Sequence, residues 1–529
     1  MNTETTVDSN LTSGSNLSYW VTTIEPIKYA PLKENLQTDV VVVGGGIAGV
    51  TVAYCLLKSG KKVVLVEDGF IGSGETGRTT AHLAAALDDR YFDLQRIFGK
   101  DGAKLAAQSH MAAIDFVEKT IKQENIDCDF ERLSGYLFLH PSDKQETLEK
   151  ELTAAQESGL DVTMLDEVPD LMNTVSNCLE FAGQAQFHPL KYIAGLCKAI
   201  ERMGGKIYTE THADKIDETG ITTKEGFIVK ALHVVVATNT PVNNWFVMHT
   251  KQYPYRTYAI GALVERGRVP KALWWDTGDM EADSSLAPYH YVRLQDYDAD
   301  HELLIAGGED HMTGHAESEG MNEESRYAKL EEWTRNKFPI DKVKFRWSGQ
   351  VMEPYDSLAY IGRNPNDKKN VYIVTGDSGN GMTHGTIAGM LITSLVNGEE
   401  NEWEKIYDPS RFKFFKSGRT FLKEVFGGLK DYIKEYPRNA DTVKLSSIEK
   451  GHADIVEIDN DKYGVYRDES DNLHLVNAKC THMQCIVKWN SDEKSWDCPC
   501  HGSRFTHEGK VLNGPANTDL FYFKEKGEA

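Results

Sequence analysis

The sequence predicts an α/β (α+β) protein in which a mixed α/β fold, built on a strand–glycine turn–helix unit, precedes an all-β C-terminal domain. Three observations predict this. A glycine-rich turn follows a buried strand near residue 44, four of the eight cysteines crowd between residues 480 and 500, and 529 residues suffice for several domain-sized units. Hydrophobic residues at 40% and charged residues at 26% are the balance of an ordinary globular chain. A formal charge of −22 argues against nucleic acid or an anionic membrane surface as partner. No apolar run approaches the roughly 18 residues of a transmembrane segment. Met1 to Ser18 lacks the charged and apolar regions of a signal peptide, so the expected location is cytoplasmic.

Residues 1–36 read as a polar N-terminal segment. Thr38 to Val43 then reads as a buried strand, Gly44-x-Gly46-x-x-Gly49 as the turn, Ile47 to Ser59 as a helix stopped by Gly60, and Val63 to Val66 as a second strand closed by Glu67. Glycines in that turn let the backbone approach a pyrophosphate at the helix N-terminus, where Ile47 and Ala48 also lie. An acid at the end of the second strand takes the ribose hydroxyls. With strand, helix and Glu67 all in place, this is a Rossmann-like dinucleotide site.

The next loop, Gly72-Ser73-Gly74-Glu75-Thr76-Gly77-Arg78-Thr79-Thr80, resembles the flavin-contacting loop of the glycine/D-amino-acid oxidase (DAO) family of FAD enzymes. Asp356 to Gly362 and the strand and glycine turn Val371 to Gly385 match two further elements of that family. The resemblance implies FAD as cofactor, with Arg78, Thr79, Thr80, Gly379, Gly381, Met382 and Thr383 near it and Ala213 as a backbone contact to adenine. It places a DAO-type oxidoreductase at 37–402, its FAD-binding parts at about 37–90, 180–252 and 345–402. An interleaved antiparallel-sheet substrate domain takes about 91–179 and 253–344. The helix end near Gly381 would face the ring system and stabilise negative charge there. No second dinucleotide fingerprint is present, which argues against a dedicated NAD(P)H domain of the ferredoxin-reductase kind.

The catalytic residues are not legible. Aromatic residues gather in the second half of the substrate region, half or more of them as core or strand-pair packing. Tyr258, His82 and Arg293 are candidates, Arg293 either as a fork for a substrate carboxylate or, equally, as a surface or domain-interface arginine. Trp347 to Gln350 precede the flavin-facing strand and are expected near the ring. His82 admits two readings: the covalent attachment point that some relatives use, or a histidine packed beside the flavin, which is preferred. Residues 403–440 read as linker helices, with Arg411 to Lys416 either a strut on the FAD domain or a basic docking patch. The strut is preferred, because those aromatics need burial.

At the C-terminus the residues run C-T-H-M-Q-C from Cys480 to Cys485 and C-P-C-H-G-S from Cys498 to Ser503. Two thiolates and two imidazoles from two loops suit a [2Fe–2S] cluster with cysteines on one iron and histidines on the other. Structural zinc is the competing reading. Residues 441–529 resemble Rieske proteins. The resemblance implies Cys480, His482, Cys498 and His501 as ligands, a loop-to-loop disulfide between Cys485 and Cys500, and Gly514–Ala516 as the covering loop. It also implies Ser503 as a hydroxyl donor to a cluster sulfur. Phe505 stands where high-potential members carry a tyrosine donor, so a potential in the middle or lower part of the family range of about −150 to +300 mV is expected.

Together these parts read as an FAD-dependent dehydrogenase oxidising an amine or amino-acid C–N bond. Its electrons pass through the Rieske cluster to a one-electron acceptor, a protein or a quinone. An oxygen-using oxidase with a structural or redox-sensing Rieske domain, and a non-enzymatic electron carrier, are the alternatives. A Rieske oxygenase is rejected, because its mononuclear-iron domain normally follows the cluster and this sequence ends within thirty residues of His501.

Overall fold

The computed structural model describes residues 14–174, 176–243, 248–282, 288–314, 322–365, 367–411, 448–458 and 461–523. Its first sheet is the one the glycine turn predicts. Leu36–Val43 pairs in parallel with Val63–Val66 on one side and Ile228–Val236 on the other. The order is Tyr360–Arg363, Val371–Thr375, Ile228–Val236, Leu36–Val43, Val63–Val66, Lys206–Tyr208. Val40, Val41 and Val42 are fully buried in succession, the continuous apolar run of a strand covered on both faces. The helices Ile47–Lys58 and Gly381–Asn397 pack against each other over one face, and both are apolar nearly all round for that reason.

A second, nine-stranded sheet holds the intervening segments. Its long strand Gln252–Glu265 lies antiparallel between Val343–Pro354 and His301–Met312. Tyr291–Asp296, Leu273–Asp276, Glu131–Phe138, Cys178–Gln186 and His82–Leu83 continue it outward. The C-terminal domain is all-β, with two four-stranded antiparallel sheets. The α/β core, the interleaved antiparallel sheet and the all-β end are the fold class that the motifs predict.

One expectation changes. Residues 14–36 are not a free polar tail. Trp20 is fully buried and donates its indole N–H to the Thr79 carbonyl at 2.6 Å. Tyr19 packs edge-on against Trp20 and Phe345. Two large aromatics in a polar run release several kcal/mol by burial, roughly 1.5–3 kcal/mol for each large side chain, and they pull the segment into the core. Of the expected linker helices, Glu404–Tyr407 is present, and Arg411 is ion-paired to the buried Asp356 at 2.9 Å. Residues 412–440, with the rest of the proposed basic stretch, lie outside the described residues.

Candidate functional site

The carboxyl ends of the first sheet's strands open into a cavity of about 480 Å³, where Val43, Val66, Ala237 and Thr375 all reach its wall. A crevice beyond the strand carboxyl ends is where open α/β sheets hold ligands. Gly44, Gly46, Ile47 and Ala48 form one side of it, and Gly379, Gly381 and Met382 form another. Both helices that begin there lack a side-chain cap from the preceding residue; the Thr76 hydroxyl accepts from the Ile47 N–H at 3.0 Å, and helix N-termini of this kind are where anions bind. Gly44 adopts φ +109°, and a Cβ there would lie 2.3 Å from the Ala237 carbonyl. Glu67 is half-buried and accepts from the Gly45 and Gly69 N–H groups at 2.5 and 2.8 Å, which pins the turn to the second strand.

Thr79, Thr80 and Ala213 also line the cavity. The Ala213 carbonyl is already taken by the Asn517 amide at 3.2 Å. Gly49 and Thr383 do not reach the cavity. A Cβ on Gly49 would sit 1.9 Å from the Gly44 carbonyl, so this glycine serves close helix–turn packing, while the Thr383 hydroxyl bonds the buried His110 ring at 2.8 Å. The Arg78 backbone lines the wall, but its guanidinium turns away to Glu493, the Ser348 carbonyl and the Gly14 carbonyl.

The second sheet closes the opposite side. Strand alternation decides which of its residues take part. Tyr255, Thr257 and Ala259 line the cavity, whereas Tyr258 points to the other face and packs against Tyr327 and His311. Tyr258 is thereby removed as a catalytic candidate. Arg293 is removed too. It is fully buried and donates to the carbonyls of Ala81 and Phe187 at 2.9 Å and to Gln295 at 2.6 Å, so its fork is spent on the protein. His82 does line the cavity. Its Nε2 donates to the Val292 carbonyl at 3.2 Å and its Nδ1 accepts from Thr80 at 3.1 Å. Burial lowers its pKa to about 3, so the ring is neutral.

In the C-terminal domain two tight turns present the cysteine and histidine residues. Gln484 N–H bonds the Cys480 carbonyl at 2.9 Å, and Gly502 N–H bonds the Cys498 carbonyl at 3.1 Å. The Cys480 and Cys498 sulfurs hydrogen-bond each other, and the His482 and His501 rings stand 5.0 Å apart. Cys485 and Cys500 are disulfide-bonded between the same two loops. The Ser503 hydroxyl donates to the Cys480 sulfur and accepts from Ala516 N–H at 3.0 Å. Two sulfurs and two imidazoles converging from two loops fit a Rieske cluster. Phe505 is fully buried and packs in the same core as Cys480 and Cys498. Phe505→Tyr adds a donor there and is expected to raise the cluster potential, as a redox titration would measure; an unchanged or lower value contradicts this.

Residues 39–395 match the model of FAD dependent oxidoreductases (DAO), and residues 440–524 match that of the Rieske [2Fe-2S] domain. The chain belongs to the DAO family of FAD-dependent oxidoreductases. Its DAO domain binds FAD and its Rieske domain binds a [2Fe–2S] cluster. The protein YhfW of Bacillus subtilis (strain 168), described as a Rieske 2Fe-2S iron–sulfur protein, is 30% identical over 94% of this chain and 96% of its own. Gamma-glutamylputrescine oxidoreductase of Escherichia coli (strain K12) is 27% identical over 74% of this chain and 92% of its own. Glycine oxidase from Geobacillus kaustophilus shares the fold, with a TM-score of 0.57 at 18% identity over 72% of this chain and all of its own. The DAO fold and Rieske domain make this an enzyme, and no helix among the described residues is long and apolar enough to cross a membrane.

The DAO and Rieske domains share one interface, which no sequence motif announces. Val511, Asn513, Gly514, Ala516 and Asn517 of the Rieske domain line the same cavity. Asn513 bonds Glu75 at 2.9 Å. Gln350, on the cavity wall, donates to the Gly502 carbonyl at 2.9 Å, and Gly502 directly follows His501. His249 of the DAO domain packs edge-on over both ligand imidazoles, at 4.9 Å from His482 and 5.9 Å from His501.

Proposed function

We propose that this enzyme is a dehydrogenase that oxidises the C–N bond of an amine or amino acid and sends the electrons out singly through its Rieske cluster. The observation that carries this reading is Gln350, which borders the FAD cavity and hydrogen-bonds the loop of a cluster histidine. Such a contact supplies a short covalent and hydrogen-bonded route between the two redox groups.

The residues named above would hold the cofactor in this way. The turn Gly44 to Ala48 and the helix it opens take the pyrophosphate, Glu67 the ribose, and the N-terminus of Gly381–Asn397 the ring system. Bound there, FAD would supply a two-electron acceptor for a hydride from the substrate carbon and a donor of single electrons. The balance is an amine yielding an imine, two protons and two electrons, with the imine then hydrolysed to a carbonyl compound and ammonia or an amine. The chain's own part is orientation and exclusion of water, which the closing of the cavity by the Rieske loop accomplishes. Both nitrogens of His82 are occupied, so the cofactor is held without a covalent bond. Acid precipitation should leave all the yellow colour in the supernatant.

The test is anaerobic mixing with a substrate amine, following flavin absorbance and the EPR signal of the reduced cluster. In the wild type, flavin bleaching is followed by cluster reduction. His482→Ala keeps the flavin bleaching and loses the cluster signal and one-electron turnover. A wild-type cluster that stays oxidised beside fully reduced flavin, with prompt reoxidation by oxygen, defeats the relay in favour of an oxidase. Gln350→Leu keeps the bulk and removes the hydrogen bond to Gly502. It should slow cluster reduction by about tenfold, the weight of one hydrogen bond, with flavin bleaching unchanged.

A further inference from the structure

The part of the cavity bounded by the second sheet carries an arrangement that the fold does not require. Asp310, on His301–Met312, is 6% exposed and lines the cavity, with one carboxylate oxygen lacking any hydrogen-bond partner. Asp88 lines the same space, also with one unpartnered oxygen. Asp310 is held by the Thr257 hydroxyl and Asp88 by the Tyr289 hydroxyl and the Asn380 amide, and the charge of Asp88 raises the pKa of Asp310. Burial first, and the charge of Asp89 after it, bring Asp88 to about 6; burial first, and the charges of Asp88 and Glu309 after it, bring Asp310 to about 7. Asp377, in the turn before the helix Gly381–Asn397, is a third acid on the cavity wall, its pKa raised by burial and by the charges of Glu75 and Asp88. The phenol rings of Tyr255, Tyr289 and Tyr291 complete the wall.

Two buried carboxylates with unused oxygens are costly unless something positive comes to them. Among the described residues, the positive groups near these acids are committed elsewhere: His290, raised to about 9, pairs with Asp276 and Glu309, and Arg90 donates to the Leu87 and Asp276 carbonyls. Arg78 spends its guanidinium on Glu493, and Arg293 is turned into the protein. Burial keeps His82 and His384 neutral, at about 3 and about 4. Lys510 stands on the Rieske loop with its side chain largely in solvent. An α-amino acid needs a cation for its carboxylate, and this pocket would set two carboxylates against it.

We infer that the substrate is a cationic amine without an α-carboxylate, its ammonium group received by Asp310 and Asp88 between the faces of Tyr255, Tyr289 and Tyr291. Aromatic faces favour such a cation as well. This inference rests on the reading that the site oxidises an amine, and it narrows that reading to one of its two substrate classes. The unfavourable burial of Asp310 also implies that neutralising it stabilises the protein while it weakens the site, a combination that a purely structural acid does not give.

The experiment is calorimetric binding of 1,4-diaminobutane, and of glycine and L-alanine for comparison, to the FAD-loaded full chain, with thermal unfolding of each variant. Binding of the diamine, none of the amino acids, and at least tenfold weaker diamine binding to Asp310→Asn with an unchanged or higher melting temperature are expected. Asp88→Asn should weaken binding likewise. Amino acids binding as well as the diamine, no diamine binding at all, or equal affinity in both variants would overturn the inference. Anaerobic flavin bleaching separates the two levels. A diamine that binds through Asp310 without bleaching the flavin leaves this site standing and removes the oxidation reading. An amino acid that binds and bleaches it leaves the oxidation reading standing and removes this site.

Discussion

Glu493→Ala is expected to loosen the Rieske domain from the DAO domain at a cost of about 3–5 kcal/mol, the range for breaking a buried ion pair from one side. The Glu493 side chain has no exposure, and it lies between the buried guanidiniums of Arg78 and Arg256, the second at 3.4 Å. Ser348 donates to the same carboxylate, and Asn16 N–H reaches its other oxygen at 3.2 Å. Removing the acid leaves two cations in a dry interface without the carboxylate that bridges them, with Asp497 and Glu75 acting on Arg256 from farther away. Calorimetry should show the Rieske transition moving to lower temperature and separating from that of the DAO domain. Cluster reduction after flavin bleaching should slow in the same variant. A single unshifted transition would show that the pair contributes nothing to docking.

The same group gives the interface a pH dependence whose sign is fixed. The charges of Arg78 and Arg256 outweigh the burial of Glu493 and hold its pKa down, at about 2 against an ordinary 4.5. A carboxyl group depressed on folding contributes stability that is present above 4.5 and is lost as pH falls toward about 2. Acid unfolding followed by cluster absorbance should therefore release the Rieske domain in that window, and Glu493→Gln should remove this component of the acid transition.

Gly49→Ala is the second large effect, and it acts on FAD. The added Cβ would lie 1.9 Å from the Gly44 carbonyl, so the helix Ile47–Lys58 must move away from the turn. Overpacking of this kind costs about 1–3 kcal/mol. Because the displaced atoms are those that would cradle the pyrophosphate, the cost falls on cofactor affinity, where 1.4 kcal/mol is about tenfold. Purified Gly49→Ala should carry a flavin-to-iron ratio lowered by about tenfold or more, with the Rieske spectrum intact. A stoichiometric flavin content would show that the turn has room to yield.

Much of this was legible in the sequence, and the reason is locality. The turn Gly44 to Gly49 with Glu67, and the two loops Cys480–Cys485 and Cys498–Ser503, each place their groups through short stretches of chain, where spacing alone fixes geometry. The FAD and [2Fe–2S] assignments follow from those stretches. Tyr258 and Arg293 were misjudged because residue type says nothing about which face of a strand looks inward. Tyr258 differs from its neighbour Thr257 only in the phase of the pleat. Arg293 had to be followed to the Ala81 and Phe187 carbonyls before its fork could be seen to be occupied. Trp20 was hidden in a polar run whose aromatics find their pocket only in the folded chain.

The sequence by itself determined the two cofactors, the fold class and the order of the domains, because glycine spacing and ligand spacing are properties of consecutive residues. Only the tertiary structure decided how the two redox domains meet and what charge the substrate encounters. Arg78 and Glu493 are separated by 415 positions, Arg256 and Glu493 by 237, and Gln350 and Gly502 by 152. Asp88 and Asp310 come from different parts of the chain and share a pocket only because the second sheet closes over the first. Pairings at such separations depend on sheet order and strand phase, and no local pattern of residues encodes them.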